Sequence, residues 1–291
     1  MKFEGIITPL ITPFTEGGEV FEDGLRDLVS FQAGKGVNGL FMCGTYGSGP
    51  AMNVEERKKV AEIVVDQARG KMDVIVHVGS SCLEDSLELA KHAEDVGADA
   101  IASTPPFYYA YDSESILSFY RQLVSHVKIP VFAYNYPERV GTAINSELLN
   151  RMAKEGVAGI KDSSFNILKF YEDILAVEKK DFIFIIGTEA LMLPAMMAGA
   201  RGCVPGLANV YPEIVIELYK LIKEEKFKQA ALKQMEVIRI GRTLRPTMSA
   251  CYEILKLRGT NVGYPKRPFK RLSEQEINML KDRLLKIGLL K

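Results

Sequence analysis

A lysine stands near the end of the short apolar run VAGIKD at residues 157–162. A buried lysine is costly unless it is paired or deprotonated, so Lys161 requires an explanation. The adjacent Asp162 is a poor partner, because neighbouring residues on a strand point to opposite faces. A neutral amine in an enclosed site can attack a ketone and form an iminium ion, which accepts electrons while a C–C bond is made or broken. Lys161 is therefore the candidate nucleophile.

A phenol and a glycine-rich loop could supply the other groups that such a reaction needs. Tyr134, near the end of the run PVFAYN, is the candidate that moves protons beside the amine. In the loop GTYG at residues 44–47, glycines allow close backbone approach and N–H groups can bind a carboxylate. Further residues at the ends of apolar runs are Ser48, Arg139, Gly187, Thr188, Glu189, Val204, Pro205 and Gly206.

Metal and serine-hydrolase chemistry lack a comparable set of residues. There is no carboxylate cluster at these positions, and the histidines do not converge, since His77 lies inside a predicted strand while His92 and His126 lie in helical windows. The cysteines are far apart and have no metal-ligand spacing, so we expect reduced core thiols of a cytoplasmic protein. They are Cys43, Cys82, Cys203 and Cys251.

Short β-rich runs alternate with amphipathic helical windows up to about residue 226. This alternation predicts parallel strands joined by right-handed crossovers. Eight repeats fit an α/β fold, the closed (β/α)8 TIM barrel, whose active site lies at the C-terminal ends of the strands. A doubly wound open sheet is the alternative, but GxGxxG is absent after the first strand. The predicted strands are 5–11, 37–42, 73–78, 99–104, 130–135, 157–162, 182–187 and 202–206.

The chain changes character near residue 227, where helical windows continue without further strands. We therefore predict a catalytic barrel over residues 1–226 and a C-terminal helical region, a three-helix appendage, over residues 227–291. The three windows of the appendage are 227–244, 246–259 and 273–290.

Composition disfavours several classes of partner. The 291 residues include 37 basic and 37 acidic side chains without a basic cluster, so nothing indicates nucleic-acid binding. No apolar stretch reaches the roughly 18 residues of a membrane span, and the N-terminus does not resemble a signal peptide. We therefore expect a cytoplasmic protein that binds small molecules, without membrane contact.

Four motifs, in this order, make the chain similar to the dihydrodipicolinate synthase/N-acetylneuraminate lyase family of class I aldolases. The resemblance covers nearly the whole chain. It implies a (β/α)8 barrel with C-terminal helices, a pyruvate Schiff base on Lys161, no metal or organic cofactor, and a homotetramer. The motifs are GIITPLITPF at 5–14, GTYGSGP at 44–50, YNYPERVG at 134–141 and GIKDSS at 159–164.

The resemblance also implies roles for individual residues. Tyr134 would be the acid–base phenol, and Thr45 would belong to the carboxylate cradle and the proton relay. Tyr108 would reach across a subunit contact and complete that relay. Arg139 matches the arginine that binds the second substrate's carboxylate in dihydrodipicolinate synthases. The other expected substrate-binding residues are Gly44, Tyr46, Gly47, Gly187 and Val204.

Two departures from the family pattern bear on the substrate. The usual loop is GTTGE, whereas Tyr46 here replaces a threonine and Ser48 replaces the acid. The GSGP continuation and NVGYPKRP at 261–268 are more similar to archaeal 2-keto-3-deoxygluconate aldolases. Tyr111 stands where some members that accept phosphorylated sugars carry an arginine, which favours a non-phosphorylated substrate. Arg139 instead favours the synthase.

Three functions stay open at this point. The leading hypothesis is a lyase that reversibly joins pyruvate to an aldehyde, with a 2-keto-3-deoxy sugar acid such as 2-keto-3-deoxygluconate as the product. The second is 4-hydroxy-tetrahydrodipicolinate (dihydrodipicolinate) synthase, which condenses pyruvate with aspartate semialdehyde. The third is a non-catalytic binding protein on the same barrel, and the intact set of Lys161, Tyr134 and Thr45 argues against it.

Overall fold

A computed structural model describes residues 2–244 and 247–290. Four residues of the predicted barrel and C-terminal regions lie outside this description: Met1, Arg245, Pro246 and Lys291. Within it, eight parallel strands pair in chain order and β8 returns to β1, so the fold is the predicted TIM barrel and not an open doubly wound sheet. The strands are β1 (Gly5–Thr8), β2 (Gly39–Met42), β3 (Asp73–His77), β4 (Ala100–Ser103), β5 (Val131–Asn135), β6 (Gly159–Asp162), β7 (Ile183–Ile186) and β8 (Gly202–Cys203).

Helices alternate with the strands where the sequence predicts them. The short helix α5 was not predicted, and it begins at Pro137, whose fixed φ suits a first helical turn. The helices are α1 (Glu22–Lys35), α2 (Val54–Ala68), α3 (Leu83–Val96), α4 (Ser113–His126), α5 (Pro137–Val140), α6 (Ser146–Lys154), α7 (Ile167–Ala176), α8 (Met192–Met197), α9 (Pro212–Lys223), α10 (Phe227–Thr243), α11 (Thr247–Leu257) and α12 (Glu274–Lys286).

Local signals set several helix ends. The Asn53 side chain accepts a hydrogen bond from the Glu56 N–H at 2.8 Å, while the Glu56 carboxylate accepts one from the Asn53 N–H at 3.1 Å. This reciprocal pair satisfies two N–H groups that the start of α2 would leave unpaired. Helices α1 and α3 end at Gly36 and Gly97, with φ of 78° and 93°, and glycine adopts such angles without a steric penalty. Strands β2 and β4 begin three positions after these glycines.

Apolar side chains form two layers. The larger layer lies between the strands and the surrounding helices. The smaller one fills the inside of the barrel and brings aromatic rings up to the ends of β2 and β5. Its buried members are Phe3, Ile7, Phe41, Ile75, Ala100, Ala102, Phe132, Tyr134, Ile185 and Val204.

All four cysteines are free thiols, but not all lie in the core. Cys43, Cys203 and Cys251 are buried, as expected, and burial raises the pKa of the Cys251 thiol to about 12. Cys82 is exposed, so the prediction of a core thiol was wrong for this residue. It is the N-terminal cap of α3, outside the apolar face of that helix.

The C-terminal helices pack against the barrel. Helix α10 contacts α8 and α9, and Leu280 and Leu284 of α12 are buried. The Tyr252 hydroxyl of α11 donates a hydrogen bond to the Thr12 carbonyl at 2.8 Å, which fixes α11 beside the loop that follows β1. Among the described helices, none is long and apolar enough to cross a membrane.

Candidate active site

Lys161 lies on β6 and is paired in register with Tyr134 on β5. Only 4% of Lys161 is exposed. Its Nζ atom is 3.7 Å from the centroid of the Phe41 ring and 3.9 Å from that of Tyr134. The amine is therefore enclosed by two aromatic faces at the top of the barrel interior.

No carboxylate pairs with this amine among residues 2–244 and 247–290. Asp162, its neighbour in sequence, is bound elsewhere. One of its carboxylate oxygens accepts a hydrogen bond from the Asn135 amide and the other from the Ser164 hydroxyl, each at 2.7 Å. The expectation that Asp162 points away from Lys161 is therefore confirmed.

Burial lowers the pKa of Lys161 well below its usual range. The aromatic faces favour a cation, by about 0.5–2 kcal/mol. Removing an unpaired ammonium from water costs several kcal/mol, which is the larger effect. The neutral amine, which is the nucleophilic form, is thus favoured in this position.

The Tyr134 hydroxyl faces the loop that follows β2. Its oxygen is 3.4 Å from Oγ1 of Thr45. Burial raises the pKa of Tyr134 to about 12, and the Thr45 and Ser163 hydroxyls oppose this shift by hydrogen bonding to the phenol. At neutral pH the group is therefore a protonated phenol beside a neutral amine, able to donate a proton and to recover it.

A cavity of about 420 Å³ opens above these groups at the C-terminal ends of the strands. Helices α10 and α11 form one of its walls, through residues such as Arg242 and Cys251. The cavity brings together most of the residues that the sequence proposed. Those among its lining are Thr45, Tyr46, Tyr134, Arg139, Lys161, Gly187 and Val204.

Gly44 and Gly47 do not line this cavity. The close packing of the loop leaves no room for a side chain at either position. A Cβ atom at Gly44 would be 2.7 Å from the Phe41 ring, and one at Gly47 would be 2.8 Å from the Cys43 nitrogen. Their part in a carboxylate cradle stays a prediction. Their steric role is to let the loop approach the barrel closely.

Tyr46 occupies the space beside a third glycine. A Cβ atom added to Gly206 would be only 2.1 Å from the Tyr46 hydroxyl oxygen. The side chain that departs from the family pattern therefore packs over the backbone that follows β8. Glu189 braces the same backbone, because its carboxylate accepts hydrogen bonds from the Gly206 and Leu207 N–H groups at 3.0 and 3.1 Å.

Tyr108 is the one predicted catalytic residue that this chain does not bring to the cavity. Its side chain is 87% exposed, and its ring packs edge-on against Tyr109 with centroids 5.0 Å apart. Its φ of 84° is unusual for a non-glycine residue. The proposed contact of Tyr108 with a neighbouring subunit stays a prediction.

Several lining residues were missed by the sequence analysis. Tyr136 and Ser163 each follow a predicted residue by two positions, so the period of two along an extended chain was a usable signal. Arg242 and Met248 come from the C-terminal helices, and no strand-end argument could have found them.

The assembled groups can form an imine with a small ketone and then transfer protons next to it. Lys161 supplies the nucleophile, Tyr134 the proton, and Thr45 a hydroxyl in contact with that phenol. Among the described residues, no group of three or more His, Cys, Asp or Glu side chains is arranged to hold a metal ion.

Comparison with known proteins shows similarity in both sequence and fold. Residues 2–287 match the model of the dihydrodipicolinate synthetase family. The 4-hydroxy-tetrahydrodipicolinate synthase of Methanopyrus kandleri is 34% identical over 99% of this chain and 98% of its own length. An uncharacterized DapA-like lyase of Halobacterium salinarum is 31% identical over 100% of this chain and 96% of its own. The structure of YagE, a prophage protein of E. coli K12 in complex with pyruvate, superimposes with a TM-score of 0.94 at 25% identity, covering 99% of each chain.

Proposed function

This chain belongs to the dihydrodipicolinate synthetase family of lyases, and from that premise we propose that it is a class I aldolase whose Lys161 forms a Schiff base with pyruvate. The observation that carries the proposal is the buried Lys161 amine, which lacks a carboxylate partner among the described residues and lies against the Tyr134 ring at 3.9 Å. The catalytic cycle uses no metal or organic cofactor.

In the cleavage direction, the neutral amine of Lys161 attacks the C2 ketone of the substrate. Tyr134 moves the protons that turn the carbinolamine into an iminium ion and water, relayed through Thr45 and through Tyr108 of a neighbouring subunit. Loss of the C4 hydroxyl proton then breaks the C3–C4 bond, so that C4 leaves as the carbonyl carbon of the aldehyde product and the iminium accepts the electron pair to give an enamine. Protonation of the enamine at C3 and hydrolysis release pyruvate and free Lys161.

The favoured substrate class is a 2-keto-3-deoxy sugar acid such as 2-keto-3-deoxygluconate. Two observations support this choice. Tyr46 places a phenol in the cavity wall where the family usually has a threonine, and Ser48 removes the acid that usually follows. Tyr111 does not supply the arginine that would attract a phosphate group, which favours a non-phosphorylated substrate.

The second candidate is 4-hydroxy-tetrahydrodipicolinate synthase, and a specific observation favours it. Arg139 lines the cavity and carries a permanent positive charge that could bind the carboxylate of aspartate semialdehyde. The relative from Methanopyrus kandleri carries this name. Both candidates share the Lys161 imine and differ only in the aldehyde.

Borohydride reduction in the presence of pyruvate, followed by mass spectrometry, tests the shared step. We expect a pyruvate-sized adduct on Lys161 in the wild type and none in a Lys161→Arg variant. Absence of the adduct, while a control aldolase is labelled, would support the non-catalytic binding protein and overturn the proposal.

A panel of aldehydes assayed with pyruvate separates the two candidates. The sugar-acid aldolase prefers glyceraldehyde, whereas the synthase prefers aspartate semialdehyde. Arg139→Ala adds a second readout, because a severe loss limited to the semialdehyde reaction would favour the synthase.

The proposal includes an oligomer in which Tyr108 reaches the relay from a neighbouring subunit, and the family resemblance implies that this oligomer is a homotetramer. The 87% exposure of Tyr108 in the isolated chain supports this arrangement. Mixing Tyr108→Phe and Tyr134→Phe subunits tests it by complementation. Activity should reappear in the mixed oligomers if the two residues act across an interface, and should stay absent if they act within one chain.

A further inference from the structure

We propose that His77 is a positioning residue that fixes the distance between the Thr45 and Tyr134 hydroxyls. This role rests on the proposed lyase function. His77 ends β3 and is 3% exposed. The sequence analysis treated it as a structural residue of a predicted strand. Its contacts connect both members of the pair.

Backbone partners fix the tautomer of the His77 ring. Its Nε2 atom lies 3.3 Å from the Thr104 nitrogen, and its Nδ1 atom lies 3.2 Å from the Cys43 carbonyl oxygen. A backbone N–H can only donate and a carbonyl can only accept. Nε2 is therefore the acceptor, and Nδ1 carries the hydrogen and donates it to Cys43.

The bond to Cys43 holds the base of the loop that carries Thr45. Cys43 has a φ of 55°, which is sparsely populated by residues other than glycine and needs support from its surroundings. On the other side, the Thr12 hydroxyl donates to the Gly47 carbonyl at 2.8 Å. Thr45 thus lies between two fixed points, and His77 supplies one of them.

The same ring also packs against the phenol. The His77 and Tyr134 rings are nearly perpendicular, at 87°, with centroids 5.7 Å apart. Phe41 closes the group, with its ring 5.5 Å from Tyr134 and 6.1 Å from His77. His77 therefore packs against the Tyr134 ring and binds the Cys43 carbonyl, two residues before Thr45, so it can set the separation of Thr45 and Tyr134.

Arg57 binds the backbone on both sides of Val78, at His77 and Gly79. The guanidinium donates hydrogen bonds to the His77 carbonyl at 2.6 Å and to the Gly79 carbonyl at 3.0 Å. Gly79 leaves room for the ring, because a Cβ atom there would be 2.9 Å from Nε2 of His77. These contacts make the end of β3 rigid.

The surroundings of His77 keep it neutral. Burial is the main cause of a pKa well below the usual value, and the positive charge of Arg57 lowers it further. Tyr134 and the Cys43 thiol, the other titratable groups beside it, add no opposing charge at neutral pH, because both have raised pKa values. The residue therefore orients its neighbours and does not exchange protons with the substrate.

Two amide substitutions separate the contacts of the ring. In His77→Asn the amide nitrogen stands at the position of Nδ1 and keeps the bond to Cys43. In His77→Gln the amide oxygen stands near Nε2 and keeps the bond to Thr104, while the bond to Cys43 is lost. The readout is deuterium exchange at C3 of pyruvate, which requires no aldehyde, divided by the fraction of Lys161 trapped by borohydride.

We expect His77→Gln to lower kcat for exchange about 100-fold, the scale of a 1 Å misplacement of a catalytic group, with little change in KM for pyruvate. His77→Asn should stay within about tenfold of the wild type, with the wild-type pH profile. Equal losses in the two variants, or full activity in both, would overturn the role of His77. A wild type that neither traps nor exchanges pyruvate would instead overturn the proposed function.

A measurement on the wild type covers the case in which the variants do not fold. The chain has 3 histidines, so nitrogen-15 labelling gives a simple spectrum. We expect one ring to remain in the neutral Nδ1–H form through the pH range in which an unperturbed histidine, with a pKa near 6.5, titrates. A spectrum in which all three rings titrate, or in which the buried ring carries its hydrogen on Nε2, would refute the proposal.

Discussion

The two ends of the barrel differ in whether their buried or cavity-lining charged side chains have partners. At the N-terminal end, a cavity of about 540 Å³ is lined by Asp73, Asp99 and other charged residues. Both aspartates have partners, and Asp73 accepts a hydrogen bond from the Phe3 N–H at 2.7 Å. Asp99 pairs with Lys2 at 2.7 Å and accepts the Val74 N–H at 2.9 Å. At the C-terminal end, the smaller cavity contains Lys161 without a carboxylate partner in the described part of the chain.

The two lysines illustrate the difference. The hydrogen bond and charge of Asp99 raise the pKa of Lys2, whereas burial lowers the pKa of Lys161. The paired lysine is a stable cation on the surface, and the enclosed one is a nucleophile. The larger cavity therefore does not mark the reactive end of this barrel. That end is marked by Lys161, a buried amine without a carboxylate partner among the described residues.

Removing the amine should have the largest effect. Lys161→Met eliminates the nucleophile, so we expect turnover to fall on the order of 10⁴-fold or more, with no borohydride adduct. Lys2→Met, the matched change at the other end, should leave turnover unchanged. Comparable losses in the two variants would erase the distinction between the ends.

Removing the phenol should come next. Tyr134→Phe keeps the ring that encloses Lys161 and deletes the proton donor, so kcat should fall about 10²–10⁴-fold. Tyr219→Phe is the control, because that phenol lines the cavity at the N-terminal end and donates to the Glu4 carboxylate at 3.4 Å. It should cost stability and spare turnover per folded molecule. A Tyr134→Phe enzyme as active as this control would exclude the phenol from the relay.

The pH dependence of stability should distinguish the two lysines. The pKa of Lys161 is lowered in the native state and close to 10.5 in the unfolded chain, so between these values the unfolded chain binds more protons. Stability then rises with pH, by up to about 1.4 kcal/mol per pH unit. Lys161→Met should therefore be more stable than the wild type near neutral pH, by a margin that shrinks as pH rises towards 10.5.

Lys2 should show the opposite sign. Its pKa is raised in the native state, so its small contribution is present at neutral pH and is lost above pH 10. Urea unfolding of the wild type and both methionine variants across this range measures the three curves. A wild-type curve parallel to that of Lys161→Met would mean that the buried amine keeps its proton.

The smallest effect is expected at the N-terminal end. Asp99→Ala leaves the Val74 N–H without its acceptor, which should cost about 1–3 kcal/mol of unfolding free energy. Turnover per trapped Lys161 should not change, because the contacts lie at the end that stabilises such barrels. Chemical denaturation and the borohydride assay measure the two quantities. A loss of specific activity would show that the N-terminal end also contributes to turnover, which would contradict this prediction.

Much of the site could be predicted because strand order equals chain order in the barrel. Lys161 and Tyr134 end consecutive parallel strands, so their register followed from the alternation of runs. The loop with Thr45 was found from its glycines and hydroxyl. These are local signals, and the closed barrel converts them directly into spatial neighbours.

Other features depend on packing that no local pattern encodes. Arg242 reaches the cavity only because α10 packs against α8 and α9. The tautomer of His77 depends on two backbone groups, at Cys43 and Thr104, which follow β2 and β4. The first strand ends at Thr8, earlier than predicted, since Pro9 has no N–H to continue the ladder. The cavity position of Arg242 and the tautomer of His77 are set by partners distant in sequence, whereas the end of β1 is set by the adjacent Pro9, a local signal.

The packing of Tyr46 over Gly206 has an evolutionary consequence. Because a methyl group at position 206 would overlap the phenol, the two positions are coupled: any side chain at 206 requires a smaller residue at 46. A smaller residue at position 46 would by itself widen the pocket. A side chain at position 206 could fill that space only after Tyr46 had been replaced by a smaller residue. Covariation between positions 46 and 206 among relatives would then record this steric coupling.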